Sequence, residues 1–141
     1  MILSLLIAVV LIMLTTFLHI SATVFIRRLS HKAEFHSDRK ILKHPFTWLS
    51  IVVLVLFFAT FLEVLCWALT YLLIGAIEGL EPALYFSMVT YTTVGYGDII
   101  LDSNWRLLSA IEAVNGLFMF GWSSAVVVIA VQHLYGGKKL N

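Results

Sequence analysis

The sequence predicts an all-α membrane protein with three transmembrane helices and one re-entrant segment between the second and the third. Of its 141 residues, 61% are hydrophobic and only 12% are charged, and the mean hydropathy is +0.99. These values lie outside the usual range of soluble domains. Three apolar stretches are also long enough to cross a hydrocarbon core about 30 Å thick, which takes about 20 helical residues. The composition therefore argues strongly against a soluble protein.

The first apolar stretch covers residues 2–26 and is interrupted by His19. No basic residue precedes it, and Arg27 and Arg28 follow it as a stop signal. A cleaved signal peptide is the alternative, but such peptides have a basic start and a shorter apolar core. We therefore expect a retained N-terminal helix at residues 1–26.

A basic loop is expected at residues 27–45, where six of the nine Lys and Arg residues occur. It also contains three histidines, His31, His36 and His44. Histidines can sense pH or bind a metal, whereas a basic loop beside a membrane also binds anionic lipid headgroups. The composition favours the lipid-facing loop.

The second stretch covers about residues 46–77. Trp48 and Trp67 lie nineteen residues apart, or about 29 Å along a helix, so we expect them to mark the two membrane interfaces, with an outer turret at 68–79. Glu63 then lies about one turn below the outer interface, where a neighbouring hydroxyl or the end of a pore helix would suffice as its partner. A functional role is the alternative for this carboxylate. We place His19 at a different depth and expect no pairing between His19 and Glu63.

The third stretch covers about residues 106–134 and carries a polar face. Spacings of three and four residues place the members of this face on one side of a helix: Glu112, Asn115, Gly116, Met119, Ser123 and Val126. Polar groups on one side of an apolar helix indicate a water-filled or protein-packed side.

Between the second and third stretches, residues 92–98 read Thr-Thr-Val-Gly-Tyr-Gly-Asp; we call them the candidate filter segment. Gly95 and Gly97 alternate with other residues and permit backbone conformations that residues with a Cβ reach only at a cost. Such conformations can turn successive carbonyl oxygens toward one axis, with the Thr93 hydroxyl at one end and the Asp98 carboxylate at the other. A glycine-rich hairpin or helix cap is the structural alternative, but the long apolar flanks favour ion coordination.

This motif and its flanks resemble the potassium channel family, whose pore module consists of an outer helix, a pore helix, a filter and an inner helix. The likeness covers about residues 46–134, with Tyr-Phe-Ser-Met-Val-Thr-Tyr at 85–91 as the pore helix. It implies that backbone carbonyls replace the hydration shell of K+. The implied K+ ligands are the carbonyls of Thr93, Val94, Gly95 and Tyr96 and the Thr93 hydroxyl, and Gly97 completes the ion-binding segment.

The resemblance also implies supporting and gating residues. Thr92 precedes the filter, and Asp98 is expected to bond to the hydroxyl of Tyr85, which stands where many members have tryptophan. In this family a glycine about midway along the inner helix acts as a gating hinge, and Gly116 and Gly121 lie near that position. Close helix packing is the alternative for both glycines.

One filter motif per chain predicts a homotetramer, because a filter needs four such loops. Lys and Arg are concentrated in the 27–45 loop and in the short tail at 135–141, so we expect the N-terminus outside and the C-terminus in the cytoplasm of a multi-pass cell-membrane protein. Four carboxylates, Glu78, Glu81, Asp98 and Asp102, fall near the filter entrance and would concentrate cations there. Ordinary solvated loop charges are the alternative, which is favoured for Glu78 and Asp102.

The function that the sequence predicts is passive, selective K+ conduction. We expect no enzymatic activity and no cofactor, since K+ is the permeant ion. The expected partners are K+, the lipid bilayer and further copies of the chain, and no nucleic acid. A non-conducting membrane subunit and a weakly selective cation channel are the alternatives.

Overall fold

The computed structural model describes the backbone of residues 2–35 and 45–135 and the side chains of residues 2–30 and 46–133. Within these ranges the chain forms helices and no strand. In chain order they are α1 (Ile2–Phe35), α2 (Pro45–Leu73), α3 (Leu80–Tyr91) and α4 (Arg106–Tyr135). Three segments are long and apolar enough to cross a membrane, namely Ile2–Ser30, Phe46–Leu73 and Arg106–His133. The prediction of three membrane-spanning helices is thus confirmed by length and composition.

The ends of α1 and α2 differ from those that the apolar pattern predicts. α1 continues past Ile26 through the basic residues to Phe35, because arginine and lysine are good helix formers and the end of an apolar run need not end a helix. α2 ends at Leu73, so the outer connection consists of residues 74–79 and not of a turret from residue 68. The start of α4 at Arg106 agrees with the predicted third stretch.

The helices pack around two apolar clusters. One surrounds α3 and contains Trp67 and Tyr71 of α2 and Leu108 of α4. The other contains Ile26, Trp48, Val126 and several neighbours. Trp48 and Trp67 are only 1% and 0% exposed, so both pack inside the chain; their positions at the two membrane interfaces stay a prediction.

α1 runs antiparallel to α2, with its N-terminus beside the residues that connect the candidate filter segment to α4. At this end the Ser4 hydroxyl donates a hydrogen bond to the carbonyl oxygen of Asn104, at 3.0 Å. At the other end Ile26 packs with Trp48 and Val126. The start of α1, the α2–α3 connection and the segment after α3 therefore lie at the same end of the molecule.

Most of the apolar surface of the three spans is uncovered in a single chain. Only 28%, 28% and 22% of their most apolar windows, in chain order, are buried within the chain. Several hydroxyl groups inside the spans bond to carbonyls of the preceding turn, as Thr23 does to His19 and Thr70 to Cys66, so these groups are paired within the membrane. The remaining apolar surface is suited to lipid or to further copies of the chain.

Candidate functional site

α3 ends in a Schellman motif that continues directly into the candidate filter segment. The main-chain N–H of Thr93 donates to the carbonyl of Thr90 at 2.9 Å, and that of Val94 donates to the carbonyl of Val89 at 3.0 Å. These two bonds define the motif, in which the residue after the helix cap adopts a left-handed backbone conformation. Gly95 adds a third bond to the Val89 carbonyl at 3.3 Å. The first half of the segment is therefore fixed to the C-terminal end of α3.

Positive φ angles recur at every second residue of this segment. They are 62° at Thr93, 57° at Gly95 and 78° at Gly97. A left-handed residue at alternate positions lets successive carbonyl groups face the same side of the chain, whereas in a regular strand they alternate. The glycines were identified from the sequence as residues that need this freedom.

Thr93 was not identified in this way. Among the described residues it is the only non-glycine with a positive φ, a conformation that costs roughly 1–2 kcal/mol for a residue with a Cβ. α2 ends in the same motif with Gly75 in the equivalent position, at φ 67°. Residues held in such conformations cluster at functional sites, and here the costly position carries a hydroxyl.

Residues 93–98 are all exposed in the single chain. The Val94 side chain is 53% exposed and that of Tyr96 is 72% exposed. These two side chains therefore have little packing from their own chain.

Asp98 and Tyr85 form the hydrogen bond that the sequence predicts. The Tyr85 hydroxyl donates to Oδ2 of Asp98 at 2.7 Å. This bond lowers the pKa of Asp98 below its ordinary value, with help from the main-chain N–H groups of Asp98 and Ile99. The same bond raises the pKa of Tyr85. At the other end of the segment, the Thr92 hydroxyl donates to the Met88 carbonyl at 2.7 Å.

Glu63 is fully buried and accepts hydrogen bonds from two other helices. The hydroxyl of Tyr91, the last residue of α3, donates to Oε2 at 2.7 Å. Of the two partners that were expected, this contact supplies the first, a neighbouring hydroxyl. Nδ1 of His19 lies 2.9 Å from Oε1.

The expectation that His19 and Glu63 lie at different depths is therefore wrong. His19 lies sixteen residues before the end of α1 at Phe35, and Glu63 lies eighteen residues after the start of α2 at Pro45. At about 1.5 Å per residue the two antiparallel helices bring them to nearly the same level. Counting along the chain from the connection between α1 and α2 was the signal that could have found the pair.

Glu112 forms a second buried acidic site, on α4. It accepts hydrogen bonds from the Tyr71 hydroxyl at 2.6 Å and from the Ser87 hydroxyl at 2.5 Å. Ser87 also lies 2.9 Å from the Val64 carbonyl. Glu112 thus links α4 to the middle of α3 and to α2, which sequence reasoning did not foresee.

The polar face of α4 packs against protein. Glu112, Asn115, Met119 and Val126 are buried. The Asn115 side-chain amide donates to the Thr15 hydroxyl of α1 at 3.0 Å. Of the two alternatives that the spacing left open, a protein-packed side is the one observed in the single chain.

Gly116 and Gly121 occupy different environments, although both were candidates for the gating hinge. A Cβ at Gly116 would overlap the carbonyl oxygen of Tyr91 and lie 2.9 Å from its carbonyl carbon. A Cβ at Gly121 would meet nothing within 4 Å. The geometry therefore favours close packing for Gly116 and leaves the hinge hypothesis open for Gly121.

The histidines of the basic loop lie outside the described side chains: His36 and His44 fall between the two described ranges, and only the backbone of His31 is described. Over the residues that the structure describes, no group of three or more His, Cys, Asp or Glu side chains could hold a metal ion.

The comparisons with known proteins identify the family. The family model described as Ion channel matches residues 50–133, which is more than half of the chain and includes α3, the candidate filter segment and nearly all of α2 and α4. No curated protein and no solved structure matches the chain. This match agrees with the three helices that are suited to crossing a membrane. The chain therefore belongs to the ion channel family.

Proposed function

We propose that this ion channel is selective for K+ and conducts it passively across the cell membrane. The observation that carries the proposal is the run of positive φ angles at Thr93, Gly95 and Gly97. It supports a backbone in which consecutive carbonyls face one axis, as the removal of water from K+ requires. The ligands would be the carbonyls of Thr93, Val94, Gly95 and Tyr96 and the Thr93 hydroxyl, with Gly97 at the outer end.

The pore would be formed by four copies of the chain. One chain carries one such segment, and the segment is exposed along residues 93–98 in isolation. Four-fold association would surround a central axis with four segments and supply packing for Val94 and Tyr96. The uncovered apolar faces of α2 and α4 support the same assembly, since a closed ring is the usual form of a homo-oligomer.

The proposed orientation places the candidate filter segment toward the outside. The N-terminus of α1 would then also be outside, and the basic residues after Ile26 would be cytoplasmic, in agreement with the positive-inside rule. Asp98 and Asp102 are exposed beside the segment. Repeated by four-fold symmetry, their charges would raise the cation concentration at the outer mouth.

Reconstitution of the purified full chain into liposomes tests the proposal. We expect bi-ionic reversal potentials to show that K+ permeates much better than Na+. We also expect Ba2+ to block, because a divalent ion of similar radius binds the same carbonyl oxygens more tightly.

Two other results would replace the proposal. Equal permeability to K+ and Na+ would favour a weakly selective cation channel. Absence of any flux from a correctly assembled protein would favour a non-conducting subunit.

A further inference from the structure

All four helices meet at one buried polar cluster, which we call the His19 cluster. It consists of His19 on α1, Glu63 on α2, Tyr91 on α3 and Ser123 on α4. Glu63 is bonded to His19 at 2.9 Å and to Tyr91 at 2.7 Å, and Nε2 of His19 lies 3.2 Å from the Ser123 hydroxyl. His19, Glu63 and Tyr91 are each 0% exposed. α1 lies outside residues 50–133, which match the ion channel family model. Hydrogen bonds of His19 nevertheless join α1 to Glu63 and Ser123 within those residues.

The chemistry of the His19 cluster fixes the direction of the bonds to Glu63. A carboxylate only accepts hydrogen bonds, so Nδ1 of His19 carries a proton and donates to Glu63. Nε2 is paired with the Ser123 hydroxyl, which can donate or accept. The Trp122 ring packs against the imidazole at a centroid distance of 5.7 Å. The imidazole is thus held from two sides in the orientation that presents Nδ1 to Glu63.

Tyr91 connects the His19 cluster to the candidate filter segment. It is the last residue of α3, and Thr92 and Thr93 follow it as the helix cap and the first proposed K+ ligand. Its hydroxyl is held by Glu63, and its carbonyl group packs directly on Gly116 of α4. A displacement of Tyr91 would therefore move the Schellman motif and the base of the segment.

We propose that His19 is a positioning residue for the filter and that α1, through His19, is part of the conducting machinery. His19 holds Glu63 in the rotamer that bonds Tyr91, and Tyr91 in turn fixes the place where the filter begins. Loss of the Nδ1 donor leaves Oε1 of a buried carboxylate unpaired, so the Glu63 side chain is no longer fixed in the position that bonds Tyr91. This inference rests on the proposed function, because its readout is discrimination between K+ and Na+.

Two substitutions at His19 separate its two bonds. The amide nitrogen of asparagine occupies nearly the position of Nδ1, whereas that of glutamine occupies nearly the position of Nε2. His19→Asn should therefore keep the bond to Glu63, and His19→Gln should keep only the contact with Ser123. We expect His19→Gln to lower the K+/Na+ permeability ratio by about tenfold, the factor equivalent to about 1.4 kcal/mol, and His19→Asn to leave it near the original value.

Thr15→Val is the matched control. It breaks another polar contact between α1 and α4, the bond from Asn115 at 3.0 Å, and leaves the His19 cluster intact. A role of α1 in stability alone predicts that Thr15→Val and His19→Gln act alike. The positioning role predicts that Thr15→Val destabilises the purified assembly while its permeability ratio stays unchanged.

Tyr91→Phe completes the experiment in reconstituted full-length protein. It removes the hydroxyl that joins Glu63 to α3 and should lower the K+/Na+ permeability ratio as His19→Gln does. If His19→Gln fails to assemble, the ratio of Tyr91→Phe tests the positioning role instead. The double variant should be no less selective than the worse single variant, because both act through one chain of contacts.

Three results would overturn the positioning role while the unmodified protein stays selective: an unchanged ratio in Tyr91→Phe or in an assembled His19→Gln, an equal loss in Thr15→Val, or additive losses in the double variant. Equal K+ and Na+ permeability of the unmodified protein would instead overturn the proposed function, and this role with it.

Discussion

Single residues of the candidate filter segment are held by contacts of different kinds. Thr93 is fixed by main-chain bonds within a helix cap, in a conformation that glycine would adopt without strain. A glycine there would lack the hydroxyl that the proposed innermost K+ site uses. At the other end, Asp98 is exposed and is held by the Tyr85 hydroxyl.

The Tyr85–Asp98 bond leads to a prediction about external acid. The bond lowers the pKa of Asp98. Asp98 is therefore ionised, and the bond stabilises the segment, above the ordinary carboxyl range. This stabilisation is lost as the pH falls through the lowered pKa of Asp98. Tyr85→Phe removes the main cause of this lowering. We expect the loss of K+ flux on external acidification to begin at a higher pH in Tyr85→Phe than in the unmodified protein.

The control for this titration is Asp98→Asn, which removes the titrating group. In that background Tyr85→Phe should no longer move the pH profile. Identical profiles for the unmodified protein and Tyr85→Phe would show that Asp98 does not govern the acid response.

At the scale of the elements, the two glycines of α4 have very different surroundings. Gly116 lies against the main chain of α3, and Gly121 faces open space in the single chain. The same substitution therefore has opposite expected effects at two positions five residues apart in one helix.

We expect Gly116→Ala to destabilise the protein and Gly121→Ala to stabilise it. The methyl group at Gly116 must push α4 away from Tyr91, an overpacking that typically costs about 1–3 kcal/mol. At Gly121 alanine gains helix propensity of up to about 1 kcal/mol without a steric conflict. Thermal unfolding of the purified assembly in detergent measures both changes.

Single-channel recording of the same two variants tests the hinge hypothesis. A change of open probability in Gly121→Ala with unchanged selectivity would support a hinge at Gly121. A stability of Gly116→Ala equal to that of the unmodified protein would contradict the close packing on Tyr91.

At the scale of the whole molecule, the single chain leaves its proposed ion path and much of its apolar surface uncovered. Most of each span is unburied, and residues 93–98 are exposed. The proposed four-chain pore would account for both features.

Mixed assemblies test the shared pore. Gly95 has a φ of 57°, and a Cβ at this position would meet no atom within 4 Å, so Gly95→Ala acts through backbone strain and not through a clash. With equal amounts of both subunits, only about one sixteenth of randomly mixed tetramers lack the variant. We expect K+ flux to fall toward that fraction.

Gly75→Ala is the control for backbone strain. Gly75 has a φ of 67° and equally open surroundings, but it lies in the α2–α3 connection. Gly75→Ala should leave the K+ flux of mixed assemblies close to that of the unmodified protein. Flux that falls only in proportion to the Gly95→Ala fraction would contradict a shared pore.

Much of this architecture is readable from local sequence features, and the remainder depends on how the helices pair. The lengths of the apolar stretches predicted the three membrane-spanning helices. The alternating glycines predicted two of the three residues with a positive φ in the candidate filter segment. The partner of Glu63 on α1 was missed because the depth of each helix was assigned separately, without the antiparallel pairing of α1 and α2. The burial of Trp48 and Trp67 was missed for a related reason, since periodicity does not tell a protein-facing side from a lipid-facing one.

The two ends of the candidate filter segment are anchored with unequal stiffness. Three main-chain bonds join residues 93–95 to α3, whereas a side-chain contact between exposed groups secures Asp98. Main-chain bonds within a helix cap break only when the helix end frays, but a solvent-exposed side-chain pair exchanges readily with water. The segment is therefore held firmly at residues 93–95 and only weakly at Asp98. Loss of the conducting shape should therefore start at Gly97 and spread inward, and its rate should respond to conditions outside the membrane.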